Sequence, residues 1–302
     1  MARPVHVAAP LFETRAAPGA PDAQKVVLDE TGALLASLEG FGLDLVLLAE
    51  GVGATGQTIE QAESLDEPGP FLKLYSSFAT REKCCVAGSV RLREGGRVYN
   101  SLAFVGPDGG FLGAYHKVFV TIGEIEEGTS SGKDPVVVQA PIGRIGGLIC
   151  FDLNFTELRE RYRPLRPEIL VFASMYHGGP VQATWAYECR SYFVSAWQHA
   201  GGGIIDPYGR PVKLTDCYTK IAHAVVNLDF VMAHIDYNRE KLDAIAKKCR
   251  GDVAVDIPPN IGSALVTNLT DKYVLADIVR EYELELLDDY FTRARKANAK
   301  NR

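Results

Sequence analysis

The sequence has no excess of positive charge, no Cys-x-x-Cys pair, no apolar run of membrane-spanning length and no low-complexity stretch. Each absence closes off a class of protein. With 32 Lys and Arg against 38 Asp and Glu, the formal charge is −6, so no basic face is there to displace counterions from nucleic acid. The one basic cluster, Arg293, Arg295, Lys296, Lys300 and Arg302, reads as a solvated helix end whose cations complement the helix dipole. The cysteines, Cys84, Cys85, Cys150, Cys189, Cys217 and Cys249, lack structural zinc spacing, and no H-E-x-x-H pair points to a catalytic metal. No G-x-S-x-G marks a serine hydrolase. The Val5–Phe12 run is broken by His6 and Pro10, which suits a first strand better than a signal peptide. The expectation is a cytoplasmic, soluble protein without membrane or nucleic-acid partners, whose 302 residues can bury a core without disulfides.

What is present is an alternation of strand-like and helix-like runs. Strands are expected at 5–9, 45–49, 84–90, 99–105, 111–118, 135–139, 143–151, 169–173, 204–205 and 222–229. Helices are expected at 22–39, with Asp22 as N-cap, and at 71–78, 157–162 and 183–197. Gly106–Gly110 and Asp206–Gly209 read as turns. No linker or repeat interrupts this, so residues 1–240 read as one α/β domain. Residues 241–302 read as a helical extension that packs on the same domain or on a neighbouring subunit.

Three predicted strands end in residues of different chemical talent. Glu50 closes Leu45-Val-Leu-Leu-Ala, and a carboxylate in an apolar pocket takes and returns protons. Lys117 follows Tyr115-His116 and suits an oxyanion. Cys150 ends Gly146-Gly-Leu-Ile and precedes Phe151-Asp152, so a bend there exposes a sulfur beside free backbone N–H groups. Taken singly, each has a plainer reading: a solvated strand-end acid, a snorkelling surface lysine and an inert core cysteine. Gly51-Val-Gly-Ala-Thr-Gly56 matches a dinucleotide-binding fingerprint after a strand, but the acidic segment 57–67 lacks the apolar stripe of the helix that should follow. Tyr176 and His177 follow the strand at 169–173, where ligands bind beyond strand carboxyl ends, and a purely structural loop fits as well.

In chain order these blocks resemble the nitrilase-like carbon–nitrogen hydrolases. The resemblance covers about residues 5–230: Leu45–Glu50, with Ala49 where proline is usual; Tyr99-Asn100 to Lys117, with His116 in place of arginine; Gly146 to Arg159; Pro167–Ser174; and Gly203–Gly209. Arg190-Ser-Tyr-Phe-Val194 departs from the family's helix pattern. True nitrilases follow the cysteine with Trp-Glu, whereas Phe151-Asp152 resembles the amidase and carbamoylase branches. The resemblance implies a four-layer α-β-β-α sandwich, usually paired into dimers or larger homo-oligomers. It also implies a catalytic set of Glu50, Lys117, Cys150 and the second glutamate, Glu124. The backbone N–H of Phe151 would join Lys117 at the oxyanion. No metal or organic cofactor is implied. The implied activity is hydrolysis of a small amide or N-carbamoyl compound; an acyl transferase or a silent scaffold on the same fold are the alternatives.

Overall fold

The computed structural model describes residues 2–302, which group into two compact units. The larger spans His6–Val225, and the smaller joins the residues up to Val5 with Val226–Arg302. Within these, no helix among the described residues is long and apolar enough to cross a membrane.

In the order of the chain, β1 (Pro4–Pro10) leads through α1 (Ala23–Ala36) to β2 (Leu45–Leu47), a strand with no exposed side chain. The short α2 (Gly51–Gly56) and α3 (Pro70–Glu82) follow. Then come β3 (Cys85–Glu94), β4 (Arg97–Val105) and β5 (Phe111–His116). In the first sheet the order is β12-β1-β2-β3-β4-β5, where β12 is Ile221–Asn227. β1, β2 and β3 run parallel, and β3, β4 and β5 form an antiparallel meander. The outer cover comes from α1 and α3. Phe71, Leu72, Tyr75, Phe78 and Ala79 recur at helical spacing along the buried face of α3.

The second sheet repeats the plan. After α4 (Ile122–Glu126) come β6 (Val137–Ala140), β7 (Gly143–Ile149), α5 (Thr156–Tyr162), β8 (Ile169–Ala173), α6 (Val181–Cys189) and β9 (Tyr192–Ala196). β10 (Gly203–Ile205) and β11 (Pro211–Leu214) complete the sheet in the order β11-β10-β9-β8-β7-β6. β7, β8 and β9 are parallel and almost wholly apolar at their centres, Ser195 of β9 apart, as suits strands buried on both faces. Leu148, Phe172 and Phe193 pack with Leu158, Tyr162, Trp185 and Ala186 of α5 and α6. The two sheets face each other closely enough that a Cβ on Gly147 would lie 2.9 Å from Tyr115 Cβ and 3.0 Å from the Phe104 ring. Helix, sheet, sheet, helix is the expected four-layer sandwich.

Three expectations need correction. The helix at 183–197 stops at Cys189, Arg190 turns left-handed at φ 56°, and Tyr192–Ala196 becomes β9. An apolar run of that length suits helix or strand, and the open edge of β8 decides it. Asp22 stands at the start of α1 but makes no side-chain cap. Residues 241–302 are not helical throughout, since they contribute two strands. β13 (Phe230–His234), β14 (Val253–Asp256) and β15 (Ser263–Asn268) form an antiparallel sheet in the order β13-β15-β14, packed on α7 (Arg239–Lys248) and α8 (Leu275–Glu281). The last helix is α9 (Leu287–Lys300), which buries only Leu287 and carries Arg293, Arg295, Lys296 and Lys300 of the basic cluster on its exposed turns, with Arg293 paired to Glu285 at 2.7 Å.

The G-x-G-x-x-G segment is α2 itself rather than a phosphate loop. A Cβ on Gly53 would meet Ser89 Oγ and Val90 N at 2.8 Å, and one on Gly56 would meet Phe71 and Val27. These glycines let the short helix press onto β3, α1 and α3, which accounts for the motif without a nucleotide.

Candidate active site

Glu50, Lys117, Glu124 and Cys150 converge, although they lie on four separate segments. Glu50 opens α2 just past β2, and its backbone oxygen accepts from Ser89 Oγ at 3.1 Å. Lys117 leaves β5 with its N–H on the Asn100 carbonyl at 2.9 Å. Glu124 sits in the first turn of α4, locked by a capping box with Thr121. Cys150 ends β7 at φ 47°, a conformation that costs a non-glycine residue about 1–2 kcal/mol. It opens a short 3-10 helix, Cys150–Asn154.

The polar contacts separate the two glutamates. Lys117, 1% exposed, donates from Nζ to Glu50 Oε1 at 2.9 Å and to Glu124 Oε2 at 2.7 Å. Asn100 Nδ2 donates to the same Glu50 Oε1 at 2.9 Å and to Glu124 Oε1 at 2.8 Å. Glu124 Oε2 also takes the Thr121 N–H at 2.8 Å, so both of its oxygens are engaged. Glu50 Oε2, by contrast, is buried without a hydrogen-bond partner among the described residues. An ammonium has three N–H donors, and these contacts use two.

Charge and burial set the titration of the group. Burial pushes the Cys150 thiol up to about 12; the neighbouring Glu50 charge adds to this, while Lys117 and the Met175 N–H oppose it. Burial disfavours the Lys117 ammonium, yet the pull of Glu50 and Glu124 prevails and holds its pKa above the ordinary lysine value. Burial likewise works against the Glu124 carboxylate, and Lys117 and Asn100 more than offset it, leaving the pKa low. At neutral pH the site therefore holds a protonated thiol, an ammonium and a Glu124 carboxylate. Such a thiol attacks only as its proton departs, and the unpartnered oxygen of Glu50 is an acceptor suited to that transfer.

Phe151 is 38% exposed, its ring edge-on to Phe155, and its N–H lies in the first turn of the 3-10 helix, where intrahelical partners are lacking. Tyr176 lies within the electrostatic reach of Cys150, Asp152 and Glu50, and its hydroxyl is buried without a well-formed hydrogen bond. His177 is occupied elsewhere. Its Nδ1 accepts the Gly179 N–H at 3.0 Å, which leaves Nε2–H to donate to the Gly201 carbonyl at 3.0 Å. These bonds tie one loop to another.

Two residues of the site escaped the sequence reading. Asn100 was visible only as part of a block; the available signal was a polar side chain on the buried face of an apolar strand. Asp152 is fully buried, with Oδ1 accepting from the Phe119 N–H at 2.8 Å and Oδ2 from Tyr115 Oη at 2.7 Å and the Ile149 N–H at 3.0 Å. It fastens the bend at Cys150 to the stretch after Lys117. Burial drives its pKa up to about 7, against the pull of these donors. A carboxyl with a pKa near 3.9 in the unfolded chain then binds a proton more tightly when folded. Its contribution to stability declines as pH rises from about 4 to about 7 and is constant above. Urea midpoints across that range should show this decline in the wild type and lose it in Asp152→Asn.

Among the described residues no three His, Cys, Asp or Glu side chains are grouped to hold a metal ion. Residues 15–227 match the carbon–nitrogen hydrolase family. The omega-amidase NIT2 of Danio rerio is 26% identical over 243 residues, 68% of this chain and 86% of that protein. The deaminated glutathione amidase of Dictyostelium discoideum is 25% identical over 210 residues, 57% of this chain and 70% of that one. Among solved structures, Saccharomyces cerevisiae Nit3, of branch 10 of the nitrilase superfamily, superposes with a TM-score of 0.64 at 18% identity. That match covers 74% of this chain and 90% of Nit3.

Proposed function

Because the chain belongs to the carbon–nitrogen hydrolase family, we propose that it cleaves a small carboxamide or N-carbamoyl compound through a thioester on Cys150. The Cys150 Sγ–H passes its proton to Glu50 Oε2 while the sulfur adds to the substrate carbonyl. The third N–H of Lys117 and the Phe151 backbone N–H receive the oxygen as it becomes negative. Glu50 then returns the proton to the leaving nitrogen, the C–N bond breaks and ammonia or an amine departs. Water, deprotonated by the same Glu50, attacks the thioester; the acid leaves and Sγ recovers its proton. Glu124 and Asn100 hold Lys117 and Glu50 in register, and Asp152 holds the bend that presents the sulfur.

The observation that carries this reading is the division of labour between the carboxylates: Glu124 has both oxygens engaged, whereas Glu50 keeps one oxygen buried and unpartnered. An amide rather than a nitrile is favoured by Phe151-Asp152 and by the amidase names of the two relatives above. A panel of small carboxamides, N-carbamoyl amino acids and nitriles, assayed for ammonia or amine release, tests it. The expected result is turnover confined to the first two classes, with an acyl mass increment on the Cys150 peptide of acid-quenched enzyme. Turnover without an adduct at any quench time, with hydroxylamine failing to divert product to a hydroxamate, would overturn the thioester.

A further inference from the structure

Arg91 takes part in none of these contacts, yet it is the buried cation of β3. It is 8% exposed. Its backbone N–H donates to Gln57 Oε1 at 2.7 Å and its Nε to the Gln57 carbonyl at 2.9 Å. Nη1 reaches Thr129 Oγ1 at 3.0 Å, and Nη2 lies 3.6 Å from Glu127 Oε2. Gln57 terminates α2, the helix that Glu50 opens. The Thr129 N–H donates to the carbonyl of Glu124 itself at 2.8 Å. One guanidinium thus brackets the segment leaving Glu50 and the segment leaving Glu124.

Strand pairing does not explain this residue. The β3 ladder runs through backbone groups, and an apolar side chain of similar volume would fill the same space without the cost of desolvating a charge. A planar fork adds something such a side chain lacks, namely a set separation between two loops, each held by a directed hydrogen bond. The separation matters because Glu50 and Glu124 must both reach Lys117 Nζ and Asn100 Nδ2. We propose that Arg91 is a positioning residue that holds the Glu50 and Glu124 segments at the spacing these shared contacts require. Its effect on the reaction passes entirely through those two glutamates, so the proposal rests on the role of the Glu50, Lys117 and Cys150 set given above.

The test compares Arg91→Met, Arg91→Lys and Thr129→Val with the wild type in two assays. One is kcat and KM on the amide that is turned over; the other is the rate at which iodoacetamide alkylates Cys150, followed on its peptide by mass spectrometry. Arg91→Met should lower kcat and the alkylation rate about 10–100-fold with KM changed less than about threefold, the signature of misplaced catalytic groups. Arg91→Lys should not restore them, because an ammonium lacks the fork. Thr129→Val should lose part of the rate, and the Arg91→Met/Thr129→Val double variant should be no worse than Arg91→Met alone. A folded Arg91→Met with wild-type kcat and alkylation rate would overturn the proposal, as would fully additive losses in the double variant. Should Arg91→Met not fold, Thr129→Val decides, and wild-type rates in both assays reject the bracket. If no amide is turned over, slowed alkylation still upholds Arg91 while the hydrolase reading fails.

Discussion

Cys150→Ala is expected to lower amide turnover by about ten-thousandfold or more while the fold persists. The size follows from the site's economy of nucleophiles. The thiol is partly buried at a bend, beside Glu50 and Lys117, and no other cysteine shares that company. Cys84 and Cys85 are buried with pKa values pushed by burial to about 12 and about 11, and Cys189, the last residue of α6, is buried in the core it shares with α5. Alanine also carries the left-handed backbone at position 150 with no more strain than cysteine does, so circular dichroism and melting temperature should stay close to wild type. Ammonia release by purified wild type and variant, with the melting curves as control, makes the measurement. Equal release from both would remove Cys150 from the mechanism and leave the bend without a catalytic purpose.

Lys117→Met should cost both activity and stability. Removing an oxyanion donor lowers kcat about 10²–10³-fold, and the loss here should reach or exceed that range because Lys117 also tethers the proposed base. The stability cost has a separate origin. Glu50 and Glu124 lose the cation they share at 2.9 and 2.7 Å, and two carboxylates remain at a mostly buried site. Breaking such a pair from one side typically destabilises by about 3–5 kcal/mol. Its pH dependence is diagnostic: without the ammonium, burial of the Glu124 carboxyl raises its affinity for protons above that of the unfolded chain. The variant should therefore recover stability as pH falls from about 7 toward about 5. Urea titrations at both pH values test this, and a variant as stable as wild type at pH 7 would contradict a shared buried cation.

Much of the fold was legible because its determinants are local. Leu45–Ala49 and Ile169–Ala173 are uninterrupted apolar runs expected as strands, and they form β2, ending at Leu47, and β8, both buried and parallel to their neighbours. Tyr192–Ala196 was misread because an apolar run beside a helix carries no mark of its partner. It is a strand only because β8 offers a parallel edge, with Ile169 opposite Tyr192. Similarly, β14 and β15 are short and exist as a sheet because β15 pairs with β13 on one side and β14 on the other.

By itself the sequence determined the alternation of strands and helices of an α/β domain and the order in which a glutamate, a lysine and a cysteine arrive at the ends of strands. Both follow from hydrophobic periodicity and from the residues that break it, which act over a few positions. The tertiary structure alone decided which oxygen of Glu50 stays unpartnered, that Asn100 bridges the two glutamates, that Asp152 secures the bend at Cys150, and that the His177 ring bonds Gly179 and Gly201. The reason is physical. A hydrogen bond demands partners within about 3 Å and in line, and the segments that supply these partners lie tens of residues apart in the chain.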